Sequence, residues 1–317
     1  MSLGQVFLIT GPTATGKTEL AMNLYDRLGG AQKAQLISVD SAMVYRGLDI
    51  GTAKPQGRLL EQYPHSLINV REPNEHYSAA DFVIDADRIV QKAISENRTP
   101  ILVGGTMLYI KCFRDGISNL PKKNDVIRKT LEERIDKSGL DTLYEELELA
   151  DPESAINIHP HNRQRIIRAM EVFLISGKKM SALWKEQPTR SFSQRLGQEL
   201  DIFAVLPKEK SDLEERIENR FMRMLDRGLL EELTVLRRNY RLDLSCPSMR
   251  TVGYRQAWSH LEGTIDRLEF VDEAIRATKL LAKKQMTWLR AWDHLETLYI
   301  GEDLKLWEKV SEKSAVI

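Results

Sequence analysis

The sequence feature that most narrows the possible folds is an octapeptide near the start of the chain, Gly11-Pro12-Thr13-Ala14-Thr15-Gly16-Lys17-Thr18. It matches the pattern G-x-x-x-x-G-K-[ST], in which backbone amides and a lysine surround phosphate groups. An apolar run at residues 5–10 precedes it, and a helical pattern follows from Thr18. Because the motif needs a strand before it and a helix after it, this context indicates a phosphate-binding loop. Lys17 would supply charge, and the Thr18 hydroxyl is a candidate Mg²⁺ ligand.

Short apolar runs separated by helical patterns predict the fold class. Strands are expected at residues 5–10, 36–39, 101–103 and 202–206, and a crossover helix that ends at a glycine pair is expected at 18–28. Strands that alternate with helices are typical of parallel sheets. The sequence therefore predicts an α/β protein with a P-loop NTPase-like, doubly wound parallel sheet.

The pattern changes between residues 122 and 195, where charged helical segments replace the strand signals. We expect this stretch to form a helical insertion domain in an α/β core that consists of residues 1–121 and 196–317. Beyond the insertion, helices are expected to run to the C terminus, beginning near Ser211. Ser211 and Glu214 have the spacing of a capping box, which predicts a helix start at that point.

The composition limits where the chain can act and what it can bind. Lys plus Arg and Asp plus Glu both total 46, so any surface that binds nucleic acid has to be local. Cys112 and Cys246 form no CxxC pair, which is typical of a reducing compartment and gives no zinc-ligand framework. The longest apolar runs are strand-sized and the start lacks a basic region, so we expect a cytoplasmic protein that spans no membrane.

Two polar residues follow predicted strands. Asp40 comes directly after the strand at 36–39, and Thr106 follows two glycines after the strand at 101–103. Because ligands of open α/β sheets bind at the carboxyl ends of the strands, both side chains are expected to face the phosphate loop. Asp40 is a candidate general base, although a Mg²⁺ ligand or a cap for the next segment would need the same residue. For Thr106, a turn or helix cap is the alternative.

The strand at 101–103 also bears on whether the phosphates belong to a nucleotide. Hydrolytic P-loop enzymes usually end a later strand with an Asp that helps to hold Mg²⁺, whereas this strand ends in Gly104-Gly105-Thr106. The difference favours phosphate binding for a purpose other than nucleotide hydrolysis. A nucleotide-dependent small-molecule kinase and a non-catalytic RNA-binding module remain alternatives. The missing Asp argues against the kinase, and intact Lys17, Thr18 and Asp40 argue against the non-catalytic module.

Further segments match the signatures of one protein family. They are DSAMVYRGLDIGTAKP at residues 40–55, GGTMLY at 104–109, residues 162–176 with QR at 164–165 and RAMEV at 168–172, VGYRQ at 252–256 and QMTWLR at 285–290. Together with the phosphate loop, these segments resemble the tRNA dimethylallyltransferases in their shorter bacterial form. The resemblance extends over almost the whole chain.

The resemblance implies an activity and its partners. It implies transfer of a dimethylallyl group from dimethylallyl diphosphate to N6 of the adenosine at tRNA position 37, next to the anticodon. Dimethylallyl diphosphate would then occupy the phosphate loop in place of ATP, Mg²⁺ would be required, and the anticodon stem-loop would be the partner. We expect the chain to act as a monomer.

The residues suit that chemistry. The adenine amine is a poor nucleophile because its lone pair is delocalised, so a carboxylate such as Asp40 has to orient it and take its proton. Lys17 and the loop amides would stabilise the leaving diphosphate, and Thr106 could donate to the bridging oxygen. Arg220 resembles a family arginine that reaches the diphosphate, with a surface ion pair as the alternative. Base flipping is expected because N6 is otherwise stacked.

The helix predicted within residues 162–176 is a candidate RNA-binding element. Its apolar arc is expected to contain Ile166, Ile167, Met170, Phe173 and Leu174, with Gln164, Arg165 and Arg168 on the opposite face. Eight Lys or Arg against two Glu between 163 and 195 form a basic patch, for which a solvated helix face is the alternative. The amide of Gln164 could pair with a base edge. The complete set of predicted tRNA contacts is Asp40, Ser41, Ala42, Met43, Thr106, Arg128, Gln164, Arg165, Ile166, Ile167, Arg168, Arg250, Thr251, Val252, Gly253, Tyr254 and Arg255.

Overall fold

The structure is a computed structural model that describes residues 5–118, 120–186, 189–293 and 295–315. The chain divides into two compact units. Met1–Arg114 together with Ser191–Ile317 form what we call the core unit, and Asp115–Arg190 form the helical unit. No helix in the described ranges is both long enough and apolar enough to cross a bilayer.

The described part of the core unit contains a six-stranded sheet in which every pair of neighbours is parallel. The strands are β1 (Gln5–Thr10), β2 (Ala34–Val39), β3 (His65–Ser66), β4 (Thr99–Gly104), β5 (Glu199–Leu206) and β6 (Glu296–Tyr299). Their order across the sheet is β3-β2-β4-β1-β5-β6. The carboxyl ends of β2, β4 and β1, which precede the predicted site residues, are therefore adjacent.

The helices fall into three groups along the chain. The first group is α1 (Lys17–Arg27), α2 (Gly57–Gln62), α3 (Ala79–Ser95) and α4 (Met107–Asp115). The second is α5 (Asp125–Ser138), α6 (Leu140–Ala150), α7 (Pro152–Ile156), α8 (Arg163–Ser176) and α9 (Met180–Glu186). The third is α10 (Phe192–Leu196), α11 (Lys210–Asp226), α12 (Leu229–Asn239), α13 (Tyr254–Leu261), α14 (Arg267–Arg290) and α15 (Asp303–Ala315).

The sheet is covered on both faces because successive side chains of a strand point to opposite sides. Val6 and Leu8 of β1 pack with residues of α3, α4 and α11 to α14. Phe7 and Ile9 of the same strand pack with residues of α1 and α15. The predicted α/β class with a doubly wound parallel sheet is therefore confirmed.

The four predicted strands are present, with ends that extend by up to three residues, and the crossover helix is α1. Strands β3 and β6, which have two and four residues, were not predicted from the sequence. The predicted capping box at Ser211 was wrong. Glu209 occupies the N-cap position of α11 without a side-chain cap, and Ser211 lies inside the first turn, where its hydroxyl donates to Asp212.

The helical unit has its own core, which contains Leu131, Leu147, Ile166 and Met170. Its boundaries, Asp115 and Arg190, differ from the predicted 122 and 195. At the C-terminal boundary the difference has a physical cause. The Phe192 ring centroid lies 5.0 Å from that of Phe113, and Arg195 forms an ion pair with Asp87 at 2.8 Å, so this segment belongs to the core unit.

Candidate active site

The phosphate loop joins β1 to α1. Its first residue, Gly11, has no room for a side chain, because a Cβ there would lie 2.4 Å from the carbonyl oxygen of Val205. Gly16 is the N-cap residue of α1 and has a φ of 83°, a left-handed conformation that glycine adopts without strain. The loop amides and the first turn of α1 therefore have the geometry that anion binding requires, and the predicted role of the loop stays a prediction.

Two cations lie beside this loop. The Lys17 ammonium donates to the carbonyl oxygen of Pro12 at 3.0 Å. Arg220, from α11, donates to Thr13 Oγ1 and to the carbonyl oxygen of Thr52, each at 3.1 Å. In the part of the chain that the structure describes, neither cation forms an ion pair with a carboxylate. Both charges therefore remain available to an anionic ligand.

The electrostatic environment favours proton loss from Lys17. Burial, the largest cause, and the nearby Arg220 guanidinium lower the pKa of Lys17 to about 8, against the opposing effect of the Asp40 carboxylate. Burial also lowers the pKa of Arg220, again opposed by Asp40, although a guanidinium keeps its charge in proteins. A bound diphosphate would raise the pKa of Lys17, because an opposite charge favours the ammonium form.

Asp40 and Thr106 follow the carboxyl ends of the neighbouring strands β2 and β4. Asp40 Oδ1 accepts hydrogen bonds from the N–H groups of Ala42 and Met43, at 2.8 and 3.1 Å. The other oxygen, Oδ2, has no donor among the described residues and is free to take a proton. Thr106 Oγ1 accepts from the N–H of Ser41 at 3.0 Å. Asp40 therefore caps the next segment through Oδ1, and Oδ2 has no hydrogen-bond partner in the described ranges.

One cavity of about 810 Å³ brings most of the predicted residues of the core unit together, but Gly11, Pro12 and Thr15 of the phosphate loop and residues 253–255 do not line it. The predicted site residues that line it are Thr13, Ala14, Gly16, Lys17, Thr18, Asp40, Ser41, Ala42, Met43, Thr106, Arg220, Arg250, Thr251 and Val252. Further cations on its wall are Arg223, Arg227 and Lys284. The apolar wall includes Leu108, Phe221, Met224, Leu281 and Trp288. The cavity therefore offers positive charge for phosphates beside an apolar surface.

The sequence analysis assigned no role to Gln285, which connects the two glycine-containing loops. Its side-chain oxygen accepts from the N–H of Thr13 at 2.9 Å, and its amide donates to the carbonyl oxygen of Gly105 at 2.7 Å. A Cβ at Gly105 would lie 2.6 Å from the Gln285 amide nitrogen. Gln285 is buried and lies between the buried residues Ala282 and Leu289 on α14. A polar residue at an apolar position of the helical repeat is the sequence feature that could have identified it.

Thr18 fits the predicted role in Mg²⁺ binding. Its hydroxyl lines the cavity and has no hydrogen-bond partner among the described residues. Mg²⁺ is usually held by few protein oxygens together with substrate phosphates. The described ranges contain no group of three or more His, Cys, Asp or Glu residues that could hold a metal ion. The donor set therefore suits a Mg²⁺ ion that arrives with a diphosphate.

The remaining predicted tRNA contacts of the core unit differ in exposure. Arg255 is exposed, whereas Gly253 and Tyr254 are buried. The Tyr254 hydroxyl donates to the Glu232 carboxylate at 2.5 Å, so this side chain faces the protein interior. A direct contact between the Tyr254 ring and RNA is therefore incompatible with this packing.

Helix α8 lies in the helical unit and begins one residue after Asn162, which caps it by accepting from the N–H of Arg165. Gln164 and Arg165 are exposed, as their predicted face requires. Ile166 and Ile167 are buried in the core of the unit, which leaves their side chains no access to RNA. Leu174, predicted to lie in the apolar arc, is 50% exposed, because it lies at the edge of that arc.

Arg168 and Arg128 are less available to RNA than the sequence indicated. The Glu171 carboxylate is fully buried and accepts from Arg168 at 2.6 Å and from Arg128 at 3.1 Å. Arg168 also donates to the carbonyl oxygen of Pro121 at 2.6 Å. Hydrogen bonds from these arginines and from the backbone of Asn124 lower the pKa of Glu171 despite its burial. The two arginines therefore compensate a buried charge.

Ion pairs also reduce the predicted basic patch. The pairs are Arg163 with Asp136, Lys178 with Glu186, Lys185 with Glu153 and Arg195 with Asp87. Arg165 and Lys179 have no carboxylate partner in the described ranges. The free positive charge near α8 is thus much smaller than the count of basic residues suggests.

The fold and the site define a P-loop-like α/β protein in which an anionic ligand would lie beside a candidate carboxylate base. The family model described as IPP transferase matches residues 43–292, which is most of the sequence. The chain belongs to this IPP transferase family.

Individual relatives agree with that assignment. A Chromohalobacter salexigens protein named tRNA dimethylallyltransferase is 46% identical over 286 residues, which cover 90% of this chain and 89% of that protein. The solved tRNA isopentenylpyrophosphate transferase of Bacillus halodurans is 30% identical with a TM-score of 0.69, and the match covers 98% and 96% of the two chains. A eukaryotic dimethylallyltransferase solved with tRNA shares the fold at 22% identity and a TM-score of 0.76, over 99% and 78%. These relatives support the transferase prediction and not the kinase alternative.

Proposed function

We propose that this chain transfers a dimethylallyl group from dimethylallyl diphosphate to N6 of the adenosine at tRNA position 37, with release of diphosphate. The observation that carries the proposal is the single cavity that contains Asp40 and Thr106 together with Lys17 and Arg220. A base and a leaving-group site in one cavity are what a transfer from a diphosphate requires. The name of the relative that is 46% identical supports the same reaction.

In the proposed step, the N6 nitrogen of adenine forms a bond to C1 of the dimethylallyl group. The bond between C1 and the bridging oxygen breaks, and its electron pair leaves with the diphosphate. Asp40 takes the proton from N6 through Oδ2, the oxygen that is not engaged in the turn. A base placed in this way contributes about 10²–10⁴-fold to the rate.

Charge that develops on the leaving diphosphate needs fixed positive partners. Lys17, Arg220 and the loop amides would stabilise it, and the Thr106 hydroxyl would donate to the bridging oxygen. Thr18 would hold Mg²⁺ against the phosphate oxygens, where the ion supplies further charge neutralisation. Asp40 would remain the base and not a metal ligand.

The apolar wall suits the isoprenoid. Leu281 and Trp288 lie on α14 at one turn to either side of Gln285, and Phe221 follows Arg220 on α11. Such a surface would bind the dimethylallyl group and keep water from the reactive carbon. The adenine would have to leave its stack to reach this cavity.

We propose that the anticodon stem-loop contacts the core unit at residues 41–43, at residues 250–252 and at Arg255, and the helical unit at Gln164 and Arg165. The exposure of Gln164, Arg165 and Arg255 supports these contacts. The proposal assigns the enzyme to the cytoplasm, because two distant cysteines that form no CxxC pair are typical of a reducing compartment. We propose that it acts as a monomer.

The test is an incubation of the protein with undermodified tRNA, Mg²⁺ and dimethylallyl diphosphate, followed by nucleoside mass analysis. We expect one adenosine to gain the mass of a dimethylallyl group, and the same tRNA with a non-adenosine base at position 37 to gain none. Unchanged adenosine in the first tRNA would refute the proposed function. Modification of both tRNAs would refute the proposed acceptor.

A further inference from the structure

The Glu232 carboxylate does not line the cavity, but it accepts hydrogen bonds from the backbone of a turn that does. The Glu232 side chain, from the first turn of α12, accepts hydrogen bonds from the N–H groups of Asp49, Ile50 and Gly51, at 3.0, 2.7 and 3.4 Å. Bonds from amides to a carboxylate are charge-assisted and stronger than neutral ones. Glu232 therefore fixes the position of the segment that leads to Thr52.

That segment ends at the group that orients Arg220. Thr52 is buried, its hydroxyl donates to the carbonyl oxygen of Leu48 at 2.7 Å, and its own carbonyl accepts from Arg220 Nη2. The other arm of the guanidinium donates to Thr13 in the phosphate loop. The direction of the Arg220 fork thus depends on two acceptors, and Glu232 determines the position of one of them.

The buried residue Tyr254 secures Glu232. Its hydroxyl donates to Glu232 and accepts from the N–H of Gly51 at 3.1 Å. Burial and the Glu232 carboxylate raise the pKa of Tyr254, so the phenol stays a donor. A Cβ at Gly51 would fall 2.6 Å from the Tyr254 ring, which indicates tight packing.

The ammonium of Lys54 anchors the other side of the same turn. It is buried and forms hydrogen bonds of 2.6 to 2.7 Å with the carbonyl oxygen of Tyr45 and with the side chains of Asp49 and Asn69. The turn is therefore held at one end by the buried Lys54 and at the other by the half-buried Glu232. Buried charges that are fully paired fix a conformation, since loss of one partner leaves the other uncompensated.

We propose that Glu232 is a positioning residue for diphosphate transfer: it holds the turn 49–52 so that the Thr52 carbonyl aims Arg220 at the diphosphate, and Tyr254 holds Glu232. Gly51 and Thr52 line the cavity, and Glu232 and Tyr254 are not among the lining residues. Tyr254 lies in the segment predicted to contact tRNA, but in this proposal it supports the diphosphate site. This inference rests on the proposed function of the cavity.

The test is a double-mutant cycle. Glu232→Gln removes one acceptor oxygen, because an amide cannot accept hydrogen bonds at both ends. Tyr254→Phe removes only the hydroxyl and keeps the ring packing. Each change is made in the parent chain and in an Arg220→Ala background. Glu231→Gln, at the adjacent exposed residue of the same helix turn, is the control for loss of one negative charge.

Two quantities are measured, the affinity for inorganic pyrophosphate and the KM and kcat for dimethylallyl diphosphate at saturating tRNA. In the parent chain we expect Glu232→Gln to weaken pyrophosphate binding about tenfold, the effect of one lost hydrogen bond to a charged group. Tyr254→Phe should have a smaller effect, and Glu231→Gln none. The affinity for tRNA should stay unchanged in all three variants.

In the Arg220→Ala background the effect of Glu232→Gln on pyrophosphate binding should disappear, because the residue through which it acts is gone. An equal loss of affinity in both backgrounds, or none in the parent chain, would overturn the proposal. If Glu232→Gln shows no cooperative thermal unfolding, Tyr254→Phe decides by the same criteria. Pyrophosphate binding requires no transfer, so the two proposals can fail separately. A protein that binds pyrophosphate but modifies no tRNA would refute the proposed function. The double-mutant cycle would still decide whether Glu232 positions Arg220.

Discussion

The phosphate-loop cavity of the core unit and helix α8 of the helical unit both contain basic residues, but their charges have different partners. In the cavity, the hydrogen bonds that Lys17 and Arg220 form with described residues all go to uncharged oxygens. On α8, Arg168 pairs with the buried Glu171, as does Arg128 from α5. The first arrangement leaves positive charge for a ligand, whereas the second compensates a carboxylate inside the protein.

The difference shows why a count of charges locates an anion site poorly. A positive residue contributes to binding only when no internal carboxylate already neutralises it. Around α8 the count indicated a basic patch, yet Arg165 is the only predicted arginine contact of the helix whose side chain has no carboxylate partner in the described ranges. The cavity, by contrast, was indicated by a motif whose geometry determines where the charges lie.

The largest expected effect tests the chemistry of the cavity. Asp40→Asn should reduce single-turnover transfer by about 10²–10⁴-fold while tRNA binding is kept. The asparagine oxygen can still accept from the N–H groups of Ala42 and Met43, so the turn survives and only the base is lost. A variant with the parent rate would mean that Asp40 is a cap without a role in proton transfer.

The next effect concerns the charge of Lys17, whose pKa is about 8 in the free protein. Diphosphate binding favours the ammonium form, so affinity should be constant below pH 8 and fall by up to about tenfold per pH unit above it. Calorimetric titration with dimethylallyl diphosphate between pH 7 and 9.5 would measure this. Lys17→Arg, which keeps its charge throughout the range, is the matched control and should show a flat profile. A parent profile as flat as that of the control would place the phosphates away from Lys17.

The smallest effects distinguish the arginines of α8. Arg165→Ala should lower the slope of log affinity for tRNA against log salt by about 0.7–0.9, the value of one neutralised phosphate. Arg168→Ala should leave that slope nearly unchanged and instead lower the thermal stability of the protein, because Glu171 loses one of its partners. Equal changes of slope for both variants would show that the pair with Glu171 opens when RNA binds.

Gln164 is an uncharged residue on the same exposed face of α8 as Arg165, so it serves as the comparison for a contact without charge. Gln164→Ala should keep the salt slope of the parent chain, since no phosphate contact is lost. Transfer or discrimination at the target base should decline, because the amide is predicted to meet a base edge. A transfer assay on tRNAs that differ at the target base would measure this. Parent behaviour in both the slope and the transfer assay would remove Gln164 from the interface.

The predictable part of the molecule is the part in which neighbouring residues determine the structure. The loop from Gly11 to Thr18, β1 before it and α1 after it are one continuous segment, so motif and fold were found together. Asp40 and Thr106 were predicted to face the phosphate loop, and both line its cavity, because parallel strands bring their carboxyl ends to one edge.

Long-range partnerships were not predictable in the same way. Gln285 meets Thr13 across 272 residues of sequence, and Glu232 meets Gly51 across 181, so no local pattern indicates either contact. The two residues of β3 are too few to show a strand period. The helical period placed Arg168 on the polar face of α8, but it could not show that Glu171, three residues on, is buried.

The central claim is that the phosphate loop holds the diphosphate of a prenyl donor and not a nucleotide for hydrolysis. It is tested most directly by phosphate release and prenyl transfer measured side by side, with tRNA present, in the parent chain and in Lys17→Ala. We expect dimethylallyl diphosphate to support transfer that Lys17→Ala slows by about 10²–10³-fold, and ATP to yield no phosphate. Steady ATP hydrolysis that tRNA stimulates and Lys17→Ala abolishes would contradict the account.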